Sequence, residues 1–263
     1  MTRPLHAEPQ HEPRLRLLLG ELAAPLEGLR LLPRLPRQVR SHDVPPRDVL
    51  VLPGWMVGDG STAILRAALA RDGHRVRGWG LGRNTGDVPA RIRAVTELVG
   101  QRATAAGSQL DLVGWSLGGV IAREVARRRP DAVRRVVTLG TPLHGPSFTT
   151  FASLFVDEGA RDRARAEAQR RARSFDGVAR DEVAREQTER RRATPPPPVP
   201  VPVTVIWSRR DGIVQWRAQQ DRDNPWAEHV EVGSTHLGMT LDPDVLDVLR
   251  DRVGADVTTS LRA

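Results

Sequence analysis

The segment QLDLVGWSLGGVIAREVARRRPD, residues 109–131, constrains the fold more than any other part of the chain. An apolar run from Leu110 to Val113 passes through Gly114-Trp115-Ser116-Leu117-Gly118-Gly119 into a stretch of helical period. A strand that turns this sharply into a helix brings the residues two before and two after the central serine into close approach, so both must be small. Gly114 and Gly118 meet that requirement, and Gly119 lets the helix start close to the sheet. The turn would present Ser116 beside a helix N-terminus, where negative charge is favoured. Ser116 is therefore the candidate nucleophile.

Similar units stand on either side. DVLVLPGW reads as a buried strand ending in a Pro-Gly turn, STAILRAALARDG as a helix with Ser61 as N-cap and Gly73 as stop, and HRVRGWGL as a second strand. VPARIRAVTELVGQRAT is a helix, VRRVVTLGTPL a strand, VTVIWSRRDGIV and HVEVGSTHLGM two more strands with loops at their carboxyl ends, and a helix starts near Pro243. Strands alternating with helices predict an α/β fold, a mainly parallel sheet with helices on both faces, over residues 46–263. Residues 147–194, headed by FTTFASLFV and followed by PPPPVPVP, break the alternation and read as a helical insertion. It is either a lid with an apolar underside or a solvated cover of the sheet. Residues 1–45 form a Pro/Arg-rich leader with leucines at helical spacing from Leu15 to Leu32, which fits a short amphipathic helix packed on the domain or one in transient contact with a membrane surface.

Composition narrows the chemistry. The 263 residues include no cysteine, which excludes disulfides, thiolate metal sites and cysteine nucleophiles. The net charge of +8 is all arginine, spread among Asp and Glu without the aromatic interleaving of a single-strand binding groove, so no nucleic-acid partner is expected. No run approaches the ~20 apolar residues of a membrane span. The apolar run from Leu15 is broken at Gly20 and Glu21, so a signal peptide is not supported and a cytoplasmic protein is expected.

A serine nucleophile needs a base and an acid to orient it. His236, in the loop after the last strand, is placed to reach back over Ser116; His229 and His144 are competitors, with His144 the better candidate for lining the site. Asp211, after VTVIW and before Gly212, is the expected acid, with Asp221 and Asp223 as fallbacks on a longer loop. The negative oxygen of a tetrahedral intermediate needs donors. The backbone N–H groups of Leu117 and Trp55 are the candidates, Gly54 letting the second turn inward. Met56, Trp79, Leu81, Trp115, Leu143, His144 and Phe148 fall in loops expected at the carboxyl edge of the sheet and would line a largely apolar acyl pocket.

The set LPGW, GWSLGG, TLGTPLHG, SRRDGIV and STHLGM resembles the α/β-hydrolase superfamily, in particular its lipase and esterase-like branch, from about Asp48 to the C-terminus. It is also similar to actinobacterial hydrolases with a leader before LPG and a WGLGRN-type loop, here Trp79 to Asn84. The resemblance implies acyl transfer from a small-molecule ester or lipid to water through an acyl-serine, with no metal or organic cofactor. Many relatives have histidine where this chain has Pro53, a change that leaves a backbone donor in place. Thioesterases and acyltransferases of the same fold share the triad, and a hydrolase-like binding protein is the non-enzymatic alternative. The resemblance does not set the oligomeric state.

Overall fold

The computed structural model describes residues 15–30, 45–143 and 196–255. Within them, six strands form one sheet: β1 (Asp48–Leu52), β2 (Arg75–Gly78), β3 (Leu110–Trp115), β4 (Val133–Leu139), β5 (Val203–Trp207) and β6 (Glu228–Glu231). All adjacent pairs are parallel, in the order β2-β1-β3-β4-β5-β6. Burial follows position. β1, β3, β4 and β5 are almost wholly buried, as strands covered on both faces must be, whereas β2 and β6 are partly exposed at the edges.

The leader contributes two short helices, α1 (Leu15–Gly20) and α2 (Ala24–Leu29), joined by a 3₁₀ turn. Four longer helices follow: α3 (Ala63–Arg71), α4 (Val88–Ala106), α5 (Leu117–Arg128) and α6 (Pro243–Gly254). Two apolar clusters divide the molecule into layers. Ile92, Val95 and Val99 of α4 and Ile121, Ala122 and Val125 of α5 pack with Leu50, Leu112 and Val136 on one face. Leu65 and Leu69 of α3 and Leu246, Leu249 and Val253 of α6 pack with Val51, Val113 and Ile206 on the other.

Two local expectations are corrected. Ser61 does not cap α3: it lies in a 3₁₀ turn, Asp59–Thr62, and its hydroxyl donates to the Gly58 carbonyl, while Thr62 occupies the cap position. The leader does pack on the domain, but with the opposite face inward. Glu21, Ala24 and Glu27 are buried, whereas Leu19, Leu22, Leu26 and Leu29 are 57–79% exposed. The expected insertion, 147–194, lies outside the described residues.

Strand order reverses direction between β1 and β3, so the loops leaving their carboxyl ends diverge. In open parallel sheets that is where ligands bind.

Candidate active site

Ser116 sits at this reversal of strand order, between β3 and α5, with φ 52° and ψ −122°. A positive φ is costly for a residue with a Cβ and persists only where the surroundings hold it. They do so here: the Ser116 N–H donates to the Leu139 carbonyl at 2.8 Å, and the Ser116 carbonyl accepts from Gly119 at 3.0 Å. A Cβ on Gly114 would run into the Gly119 backbone, one on Gly118 into the Leu52 and Pro53 carbonyls, and one on Gly119 into Thr141. All three glycines are therefore required by close approach.

Beside Ser116 is the loop after β1. A Cβ on Gly54 would lie 3.4 Å from the Ser116 Cβ and 3.1 Å from the Trp115 ring, so Trp55 follows directly beside Ser116. Met56 also has positive φ, 60°. Asn84 holds this loop: its side chain donates to the Pro53 carbonyl at 3.0 Å, its carbonyl accepts from Met56 and its N–H donates to Val57. Leu117 opens α5, and a helix leaves its first N–H groups without intrahelical acceptors. Leu117 is thus the chain neighbour of Ser116, and Trp55 follows the glycine packed against it.

Asp211 and His236 lie on the loops after β5 and β6, both buried, with the Asp211 Oδ2 2.7 Å from the His236 Nδ1. The other carboxylate oxygen accepts from the Ile213 and Val214 N–H groups at 2.8 and 2.7 Å, and Oδ2 also accepts from Gln219 Nε2 at 2.9 Å. With Nδ1 protonated, the imidazole donates to a carboxylate whose position is already set by three other donors. Trp115 ties this pair to the strand that carries Ser116: its indole N–H donates to the His236 carbonyl at 3.1 Å and the two rings lie 5.6 Å apart. Burial works against a charged imidazole at His236, but Asp211, by charge and hydrogen bond, and then Glu21 outweigh it and raise its pKa above the ordinary histidine value.

The competing residues lie elsewhere. His229 is on β6, where its Nε2 accepts the Asp221 N–H at 2.9 Å. Asp221, the fallback acid on the longer loop, is buried in an ion pair with Arg123 of α5. Among the expected pocket residues, Met56 is exposed and Leu81 and Leu143 are half-buried against the core. Trp79 is 1% exposed within the α4–α5 cluster, and Trp115 packs in the opposite cluster against His236; each is core rather than open pocket wall. His144 and Phe148 lie outside the described residues.

Three residues of the site, and Glu27 beside it, were not legible beforehand. Gly140 ends β4 at φ 53°, and a Cβ there would stand 3.0 Å from His236 Nδ1 and 3.1 Å from Asp211 Oδ2. Gln219, wholly buried, donates to both Asp211 and the Val214 carbonyl and accepts from the Ser208 N–H. Glu21 and Glu27 reach from the leader to the loop of His236. The string TLGTP marks Gly140 only as a turn, and nothing local distinguishes Gln219 or the two glutamates.

Among the described residues no group of three or more His, Cys, Asp or Glu side chains is arranged to hold a metal ion, and no helix is long and apolar enough to cross a membrane. A cleft of about 360 Å³ lined by Asp48, Arg75, Arg77 and Arg102 opens at the amino-terminal ends of β1 and β2, the end opposite to Ser116.

No curated protein matches the sequence. Solved structures do. A lipase from Bacillus licheniformis is similar at TM-score 0.55 and 16% identity, over 83% of this chain and 95% of that one. An esterase from Thermogutta terrifontis gives 0.52 and 20%, over 80% and 91%. Lipase B from Aspergillus fumigatus gives 0.52 and 17% over 80% of this chain, which spans about half (53%) of that longer protein. At these identities the likeness is one of fold. A model of the alpha/beta hydrolase family matches residues 49–247, which include the whole sheet but for Asp48 at the start of β1, together with Ser116, Asp211 and His236. The chain belongs to the alpha/beta hydrolase family.

Proposed function

We propose that the protein is a serine hydrolase that cleaves a carboxylic ester through an acyl-serine intermediate. The observation that carries this reading is the buried Asp211–His236 pair, 2.7 Å apart, tied through Trp115 to a backbone-strained Ser116 at the start of a helix. A structural serine has no use for positive φ, and a structural histidine has no use for a carboxylate fixed by four donors. The ester, as the substrate class, is supported by the names of the similar structures, two lipases and an esterase.

In this mechanism His236 Nε2 takes the Ser116 hydroxyl proton as Oγ attacks the acyl carbon. Asp211 accepts the Nδ1–H bond, holds the productive tautomer and stabilises the imidazolium. The oxygen that becomes negative accepts from the N–H groups of Leu117 and Trp55. Collapse expels the alcohol, which takes the proton from His236; water, deprotonated by the same imidazole, then releases the acid and regenerates Ser116.

p-Nitrophenyl esters of graded acyl length, with a matched thioester and an added alcohol acceptor, test the reaction class. Turnover of the ester to free acid, lost in a folded Ser116→Ala variant down to the residue that backbone donors alone support, about 10³–10⁴ over water by the protease precedent, is expected. Undiminished turnover in that variant would remove Ser116 from the mechanism.

A further inference from the structure

The leader places one buried carboxylate against both loops that bear the Asp211–His236 pair. Glu21 Oε1 accepts from the Gly212 N–H at 2.7 Å and the His236 N–H at 2.9 Å, and Oε2 accepts from the Leu237 N–H at 2.8 Å. Gly212 follows the acid and has no side chain because a Cβ would strike the Leu17 carbonyl of α1. The three donors belong to segments about 190 and 215 residues away in sequence, so the contact is made only by the finished fold.

We infer that Glu21 is a positioning residue of the active site, clipping the Asp211 and His236 loops together and setting a second negative charge behind the imidazole. The inference rests on the serine-hydrolase reading. Three convergent N–H donors require a group that only accepts, and a carboxylate has acceptor sites to spare whereas an amide must aim its own NH₂ at one of the donors. Among the described residues the hydrogen-bond partners of Glu21 are the backbone N–H groups of Gly212, His236 and Leu237, and its charge lies close enough to favour the imidazolium that forms during catalysis.

Glu27, on the same leader, offers a control. Its carboxylate accepts from the Thr235 N–H and hydroxyl, one residue before His236, and does not touch Gly212 or the His236 backbone. The charged groups bearing on the imidazole are Asp211 from the loop after β5 and Glu21 from the leader. Its other neighbours, Trp115 of β3, Gly140 after β4 and Met239, are uncharged; Glu27 and Asp242 lie against Thr235 and Ser234.

The test is the pH profile of kcat/KM for a short p-nitrophenyl ester, with the rate of Ser116 phosphonylation by a fluorophosphonate, in full-length wild type, Glu21→Gln, Glu21→Asp and Glu27→Gln. Glu21→Gln is expected to lower both rates by on the order of 10²-fold through misplacement of the imidazole, and to move the acid limb to lower pH because the charge that favours imidazolium is gone. Glu21→Asp, which keeps the charge on a shorter arm, should lose rate while leaving the limb in place, and Glu27→Gln should leave the limb in place. Should Glu21→Gln not fold, a wild-type rate in Glu21→Asp overturns the inference and a reduced rate with an unmoved limb supports it. Wild-type rates and limb in folded Glu21→Gln, or an equal limb shift in Glu27→Gln, would overturn it while leaving the serine-hydrolase reading intact. Failure of wild type to label on Ser116 would overturn both.

Discussion

Asp211 accepts four hydrogen bonds, from Ile213, Val214, Gln219 and His236, and each constrains where the imidazole can sit. On the proposed mechanism the neutral imidazole is the base, so kcat/KM falls as pH drops through the pKa of His236. That pKa is raised despite burial by Asp211 and Glu21, so the fall should be centred above the ordinary histidine value of 6.5. Asp211→Asn removes the charge with the larger effect on the imidazole and offers Nδ1 the wrong hydrogen-bonding edge; the acylation rate should drop by about 10⁴-fold if the protease precedent transfers, and what activity remains should have its acid limb at lower pH. Asp221→Asn is the contrast. It breaks a buried ion pair with Arg123, so urea unfolding should show a loss of about 3–5 kcal/mol, with kcat in the folded fraction retained. That Ser116, Asp211 and His236 each stand beyond the end of a strand could be read from the sequence, because each follows a strand signal in chain order. The burial of Asp221 could not, since its partner is 98 residues away on α5.

At the scale of elements, period-2 and period-3.6 patterns read correctly wherever apolar side chains meet apolar side chains. All six strands and α3 to α6 fall where alternating runs put them. The leader defeats that reasoning. Its leucine spacing implies an apolar face turned inward, yet the surface it meets is a row of backbone N–H groups at Gly212, Thr235, His236 and Leu237, whose natural complement is carboxylate. Arg30, bonded to Asp242 and Asp244, then fastens the end of α2 to the start of α6. Only the tertiary fold gathers those donors, so no pattern within residues 15–30 announces them. The end of β4 supplies a second element-scale test. Gly140→Ala puts a methyl within 2.9 Å of Met239 Sδ and against the Asp211–His236 pair at a left-handed φ. Chemical denaturation should report about 1–3 kcal/mol of lost stability. Ester hydrolysis should fall by roughly 10²-fold from displacement of the imidazole. Hydrolysis at the wild-type rate would show that the pair tolerates movement.

Over the whole molecule, the parallel sheet gathers what the chain separates. The ends of β1, β3, β4, β5 and β6 deliver Gly54 and Trp55, Ser116, Gly140, Asp211 and His236 to one edge, and the leader closes over the last two from outside. The opposite edge has an arginine-lined cleft and none of these groups. Reactivity toward an acyl-like electrophile should therefore be confined to one serine of the chain. Reaction with a fluorophosphonate, followed by intact-mass measurement and peptide mapping, tests this most directly. The expected result is a single adduct on the peptide containing Ser116, formed at the rate at which ester hydrolysis is lost and abolished in Ser116→Ala. An adduct on another residue, or full inactivation with Ser116 unmodified, would contradict it.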